Sequence, residues 1–203
     1  IMIPAHHTSR NCNDIYCFAK NLTDQGCIAI AIDTLGSGER GIAARWNHKN
    51  HQRNLIGSQL NLAGEEITGW AITDIISTVD YLFERKDVDH DKIGVIGGVA
   101  GGGDIAALSG ALDERITVTI PFNFSNNTPI TGWYDITRSF PLSHYYGMTS
   151  WIISALVAPR KLIDAQEFAW TETRVKEYEH FKTIFGYYDA VDNLDFMHGE
   201  IKT

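Results

Sequence analysis

The stretch from Asp91 to Ile116 constrains this chain more than any other. It opens with a short apolar run, Ile93-Gly94-Val95-Ile96, carries five glycines in the seven residues 97–103, and continues into an Ala/Leu-rich segment. The order implied is strand, glycine turn, helix. Glycine lets a backbone approach its neighbours closely and adopt positive φ, so such a turn can lift one side chain above the end of a sheet. The pattern glycine, any residue, nucleophile, any residue, glycine is met by Gly97-Gly98-Val99-Ala100-Gly101 and by Gly98-Val99-Ala100-Gly101-Gly102; neither has a serine at its centre. The apex of such a turn sits at positive φ, which a β-branched residue tolerates worst. Val99 is therefore the poorer candidate for the apex and Ala100 the better. Ala100 differs from serine by one oxygen, so it reads as a nucleophile position whose hydroxyl is absent, whether by engineering or by natural loss.

The competing reading is a phosphate-binding glycine loop between a strand and a helix. The fingerprint G-x-G-x-x-G is not met in proper form, and no G-x-x-x-x-G-K-[ST] is present.

A chain of 203 residues is the length of one ordinary domain with a substantial core. Its net charge of -8 argues against a nucleic-acid partner, which would need a basic face. No segment approaches the roughly 18 consecutive apolar residues of a membrane span, so a soluble protein is expected. Cys12, Cys17 and Cys27 lack C-x-x-C spacing and suggest buried free thiols rather than a disulfide framework or a metal site. No cofactor is implied. The start, Ile1-Met2-Ile3-Pro4, enters directly as a strand-like run, which suggests missing N-terminal sequence with any targeting signal; the compartment stays open, secreted or periplasmic locations included.

In chain order, Ile1 to Ala5 reads as a strand, followed by a loop containing His6 and His7 at the pocket mouth. Ile15, Phe18, Ala19 and Leu22 predict a helix over 14–25, stopped by Gly26. The run Cys27 to Asp33 predicts a central parallel strand covered on both faces, completing a βαβ unit. Residues 42–63 are polar without clear periodicity and read as an excursion over the site edge. Apolar spacing from Ile67 to Phe83 predicts a long helix between Gly64 and Lys86. After the glycine turn and its helix, Ile116 to Pro121 is a strand, and an aromatic-rich insertion follows at about 122–148. Ile152 to Val157 is a short helix, Leu162 to Gln166 a strand, 171–185 a helix, and Asn193 to Met197 a last strand before His198. This alternation predicts a single α/β domain over 1–203 with a doubly wound, mostly parallel sheet.

The strings AIDTLGSGERG at 31–41, VDYLFERKDVDHDKIGVIGG at 79–98, GGGDIAALSGALDERITVTIP at 101–121 and ALVAPRKL at 155–162 resemble the carbohydrate-esterase branch of the α/β-hydrolases, which includes acetyl xylan esterases and glucuronoyl esterases. Together they span most of the chain, and the run from Val79 to Pro121 is the most specific. The resemblance implies the α/β-hydrolase fold, with or without its N-terminal strands. It implies a serine-type carboxylic ester hydrolase acting on acyl or sugar esters, inactive as given because the hydroxyl at position 100 is absent. It puts Ala100 at the nucleophile and His198, in Met197-His198-Gly199, at the base.

The resemblance implies an acid in the loop after the strand that follows Ala-Pro-Arg, where Glu167 is the nearest carboxylate; Asp164 lies inside that strand, and the alternative position after the preceding strand, Phe122-Asn123-Phe124, has no carboxylate. Backbone N–H groups of Gly101 and of His6 or His7 would receive the oxyanion. Trp46, Trp133 and Trp170 could stack on a sugar ring. The alternatives are a natural non-catalytic relative that keeps the pocket for binding, and a nucleotide-binding α/β domain.

Overall fold

The computed structural model describes residues 1–5, 8–41, 51–98, 101–124, 145–167 and 172–198. Among them five strands form one all-parallel sheet in which spatial order equals chain order: β1 (Met2–Ile3), β2 (Gly94–Gly97), β3 (Val118–Pro121), β4 (Lys161–Gln166) and β5 (Leu194–His198). The helices are α1 (Asn13–Asp24), α2 (His51–Leu62), α3 (Ile67–Glu84), α4 (Gly102–Leu112), α5 (Ser150–Ala155) and α6 (Glu172–Gly186).

Alternation along the strands decides which face each residue serves. Val95, Thr119, Leu162 and Leu194 are linked by the parallel register and are all buried. That row meets the helices: Ile3 and Val95 pack with Ala71, Ile75 and Val79 of α3 and with Ile105 and Ala106 of α4. Leu162 and Leu194 pack with Tyr178, Phe181 and Phe185 of α6. Burial of the Tyr178 ring pushes its phenol up to about 12. The other face, with Ile96, Ile120 and Ile163, is only half-buried.

Three expectations need correction. The run 27–33 is not a central strand covered on both faces. Among the described residues it lies at the sheet edge beside β1, joined by Met2 N–H to the Ile30 carbonyl (2.7 Å), Ile32 N–H to the Met2 carbonyl (3.1 Å) and a single bridge at Ala31. Ile28 is 44% exposed. An apolar run signals that a segment can be buried, but neighbours decide whether it is. Secondly, residues 51–62, expected within a polar excursion, form α2, a helix too polar to show a stripe. Thirdly, Cys17 and Cys27, expected as buried thiols, are exposed, and Cys12 is half-buried. Helix α1, which carries Cys17, forms as its spacing predicts, with none of its residues buried.

At the amino ends of the strands a clamp of charges joins α3 to the turn between α4 and β3. Arg115 grips Asp113 with Nε and Nη2 (2.9 and 2.8 Å) and reaches Asp80 of α3 at 2.7 Å. Arg160 donates to the carbonyls of Asp113 (3.0 Å) and Ile116 (2.7 Å). The hydrogen bonds from Arg115 hold the Asp113 carboxyl below the usual carboxylate range. A carboxyl whose pKa is depressed by folding stabilises above its unfolded pKa of about 3.9 and loses that contribution as pH falls toward its folded value. Asp113→Ala is expected to lower stability at pH 7 by about 2 kcal/mol. Urea titrations should show the difference from the parent shrinking below about pH 4; a difference independent of pH would refute the clamp.

Candidate active site

The chain leaves β1, runs through α1 to the edge segment at 30–32, then returns by α2 and α3 to β2 on the other side of β1. This reversal opens a crevice at the carboxyl ends of β1 and β2, the place where open parallel sheets bind ligands. A cavity of about 270 Å³ lies there. Ala5, Gly98, Phe122 and Glu167, which follow four successive strands, form its strand-end rim. Met2 and Ile96 line it from the less covered sheet face, and Ile15 and Phe18 of α1 close it opposite.

The glycine turn is packed into the sheet by its own backbone. A Cβ on Gly102 would fall 2.6 Å from the carbonyl oxygens of both Ile3 and Pro4, and one on Gly103 would fall 2.1 Å from the Phe122 carbonyl oxygen. The start of α4 is thus wedged between the ends of β1 and β3, and only glycine allows that approach. Gly101, the residue before α4, has φ 86° and ψ -57°. Positive φ at the elbow therefore falls on Gly101 among the described residues. Val99 and Ala100 lie outside them.

Gly101 N–H, expected to receive an oxyanion, donates to Asp104 Oδ2 at 3.0 Å, and Gly103 N–H donates to the Gly98 carbonyl at 2.7 Å. Asp104 is fully buried. Sequence reasoning missed it, although an acid three residues past a helix start is the signature of a carboxylate reaching back to a cap amide.

Glu167 is exposed on the cavity rim, and its N–H donates to Asn123 Oδ1 at 2.9 Å. Asn123, at φ 58°, also donates its own N–H to the Ala165 carbonyl (2.9 Å), so it ties the ends of β3 and β4 together. Asp164 is buried and shares the helix-covered face with Leu162, turned away from the rim. His198 ends β5 paired with Gln166, so positions 167 and 198 spring from neighbouring strand ends about 4.8 Å apart. The side chain of His198, and His6, His7, Trp46, Trp133, Trp170 and most of the 122–148 insertion, lie outside the described residues.

Asp33, 2% exposed, organises the loops beside the crevice. Its Oδ1 accepts the Arg10 N–H (2.7 Å) and its Oδ2 the Glu39 N–H (3.2 Å), while the Arg10 guanidinium joins Glu39 at 2.6 Å. The loop that follows β1 is thereby anchored to the loop after the edge segment. Asp33→Ala leaves two amides without their acceptor, at about 1–3 kcal/mol each when buried. The expected loss of stability is about 3 kcal/mol by urea titration, with faster hydrogen exchange at Arg10 and Glu39. Unchanged exchange at both amides would contradict this role.

Among the described residues no group of three His, Cys, Asp or Glu could hold a metal ion, and no helix is long and apolar enough to cross a membrane.

No family model matches the chain. YtaP of Bacillus subtilis, a candidate hydrolase by name, is 35% identical over 103 residues, which are 51% of this chain and 31% of YtaP. A candidate acetyl xylan esterase from Bacteroides fragilis superposes with a TM-score of 0.79 at 18% identity, over 97% of this chain and 57% of its own. The methylesterase BT1017 gives 0.75 at 24% identity, over 100% of this chain and 44% of its own. A family 15 carbohydrate esterase, a glucuronoyl esterase from Caldicellulosiruptor kristjansonii, gives 0.63 at 14% identity, over 98% of this chain and 62% of its own. The chain thus spans less than two thirds of each of these proteins. The all-parallel sheet flanked by helices agrees with these likenesses: the chain has a fold of the α/β-hydrolase type, which these esterases share.

Proposed function

We propose that this chain is the core of a serine-type carboxylic ester hydrolase, acting on acyl or sugar esters, in which alanine stands at the nucleophile position. The observation that carries this reading is the elbow itself: a strand, a glycine turn and a helix wedged between the ends of β1 and β3, on the rim of a cavity that also reaches Glu167. With a hydroxyl at position 100, the serine oxygen would attack the ester carbonyl carbon while His198 takes the hydroxyl proton and then delivers it to the leaving alkoxide. Water would next attack the acyl-serine, its proton passing through His198, to release the acid and restore the serine. Glu167 would hold the imidazole in the required tautomer. The oxyanion would be met by backbone N–H groups from the loop after β1, at His6 or His7, and by Gly101. Trp46, Trp133 and Trp170 would supply faces for a sugar ring.

The β2 and β5 ends are separated by three strand spacings, about 14 Å, so this chemistry requires the segments after the strands to close that gap. Against a phosphate cradle stands the use already made of the turn: the amides of Gly101 and Gly103 are engaged within the protein, and the space beside Gly102 and Gly103 is filled by backbone. A natural binding protein with the same pocket is the second reading, favoured by the partner that Gly101 N–H already has. The deciding experiment is hydrolysis of a small acetyl ester by Ala100→Ser. Activity only in Val99→Ser would move the apex by one residue, and no activity in either would remove the esterase reading.

A further inference from the structure

Asp104 is a buried acid for which the hydrolytic reading has no use. It sits in the first turn of α4, 0% exposed, between Gly103, whose backbone abuts the Phe122 carbonyl, and Ile105, which is itself fully buried. Its Oδ2 holds the Gly101 N–H at 3.0 Å. An amide has one proton to donate, and a carboxyl oxygen already in place competes with any second acceptor. An oxyanion on the same N–H would also face a carboxyl oxygen, itself an acceptor, at close range in a buried site where like partial charges are poorly screened. We propose that Asp104 limits activity at this elbow by withholding the Gly101 amide, so that a restored serine would work with one oxyanion donor fewer than the fold can supply. This rests on the reading of the elbow as an ester-hydrolase site.

The sign of the effect separates this role from a merely structural one. If Asp104 only braced the helix start, removing it would slow a restored enzyme; if it withholds the amide, removing it would speed the enzyme up. In the Ala100→Ser background, Asp104→Ala is expected to raise kcat for p-nitrophenyl acetate about 100-fold, the worth of one oxyanion donor, with KM changed less than about threefold. Phenylboronic acid, whose tetrahedral adduct carries the same negative oxygen, should bind tighter by a similar factor. Should Asp104→Ala fail to fold, the near-isosteric Asp104→Asn is measured on the same two axes, with a smaller gain expected because its amide oxygen can still accept. Equal or slower turnover with no gain in boronate affinity overturns the proposal. The contact is tested separately in the chain as it stands, where Asp104→Ala should move the Gly101 amide proton upfield; an unmoved proton overturns it even if the restored enzyme is active. Absence of hydrolysis in Ala100→Ser with and without Asp104 sinks the esterase reading, and the activity-limiting role with it.

Discussion

Ala100→Ser is expected to raise hydrolysis of p-nitrophenyl acetate by about a thousandfold over the parent chain. A serine nucleophile working with its base and acid is worth on the order of a millionfold in kcat, and the oxyanion donors and binding supply the remainder. The gain expected here is smaller because one donor, the Gly101 N–H, is held by Asp104, and a lost donor costs on the order of 100- to 1,000-fold. An acyl-serine predicts a burst of p-nitrophenol equal to the enzyme concentration before the steady state. His198→Ala in the serine background should return the rate close to that of the parent. A serine variant that shows no burst and is indifferent to His198 would place the two positions in separate environments and end the triad assignment.

Gly103→Ala is expected to unfold much of the elbow. Its Cβ would stand 2.1 Å from the Phe122 carbonyl oxygen, a backbone atom that cannot rotate away, so either α4 or the end of β3 must shift. Ordinary overpacking costs about 1–3 kcal/mol, and a clash with the fixed backbone of Phe122 should exceed that, at about 4 kcal/mol or more. That is a large share of the 5–15 kcal/mol that holds a typical domain together. Gly69, on the exposed side of α3 with nothing within 4 Å of its would-be Cβ, is the matched control. Gly69→Ala should stabilise by about 0.5–1 kcal/mol, because alanine is the better helix former. Guanidinium titration of the two variants checks both, and equal midpoints would show that the elbow is not wedged as described.

Much of the architecture was legible in local pattern. Helices α3 and α6 announce themselves through apolar residues at helical spacing, and β2 and β3 through short apolar runs beside turn signals, because in each case the buried side is written into consecutive residues. The segment 27–33 misled for the complementary reason. Its composition is that of a fully covered strand, while its coverage is set by what lies beside it, and among the described residues that is β1 on one side alone. Helix α2 was missed since its residues carry no stripe to read.

The site divides in the same way. Ala100, Glu167 and His198 are candidates through the turn pattern and the family resemblance, and the glycine turn follows from the residues in order, since turn chemistry is a local property. The partners of Asp33, Asp104 and Asn123 do not. The bond from Arg10 to Asp33 crosses from one loop to another, and that from Glu167 to Asn123 joins two strand ends far apart in the chain. Even the short link from Asp104 to Gly101 depends on the turn being pressed between two other strands. A sequence by itself determines which segments can turn, pair or hide. Tertiary structure alone decides which amide meets which carboxyl, because a hydrogen bond needs two groups within about 3 Å and only the packed sheet sets that distance.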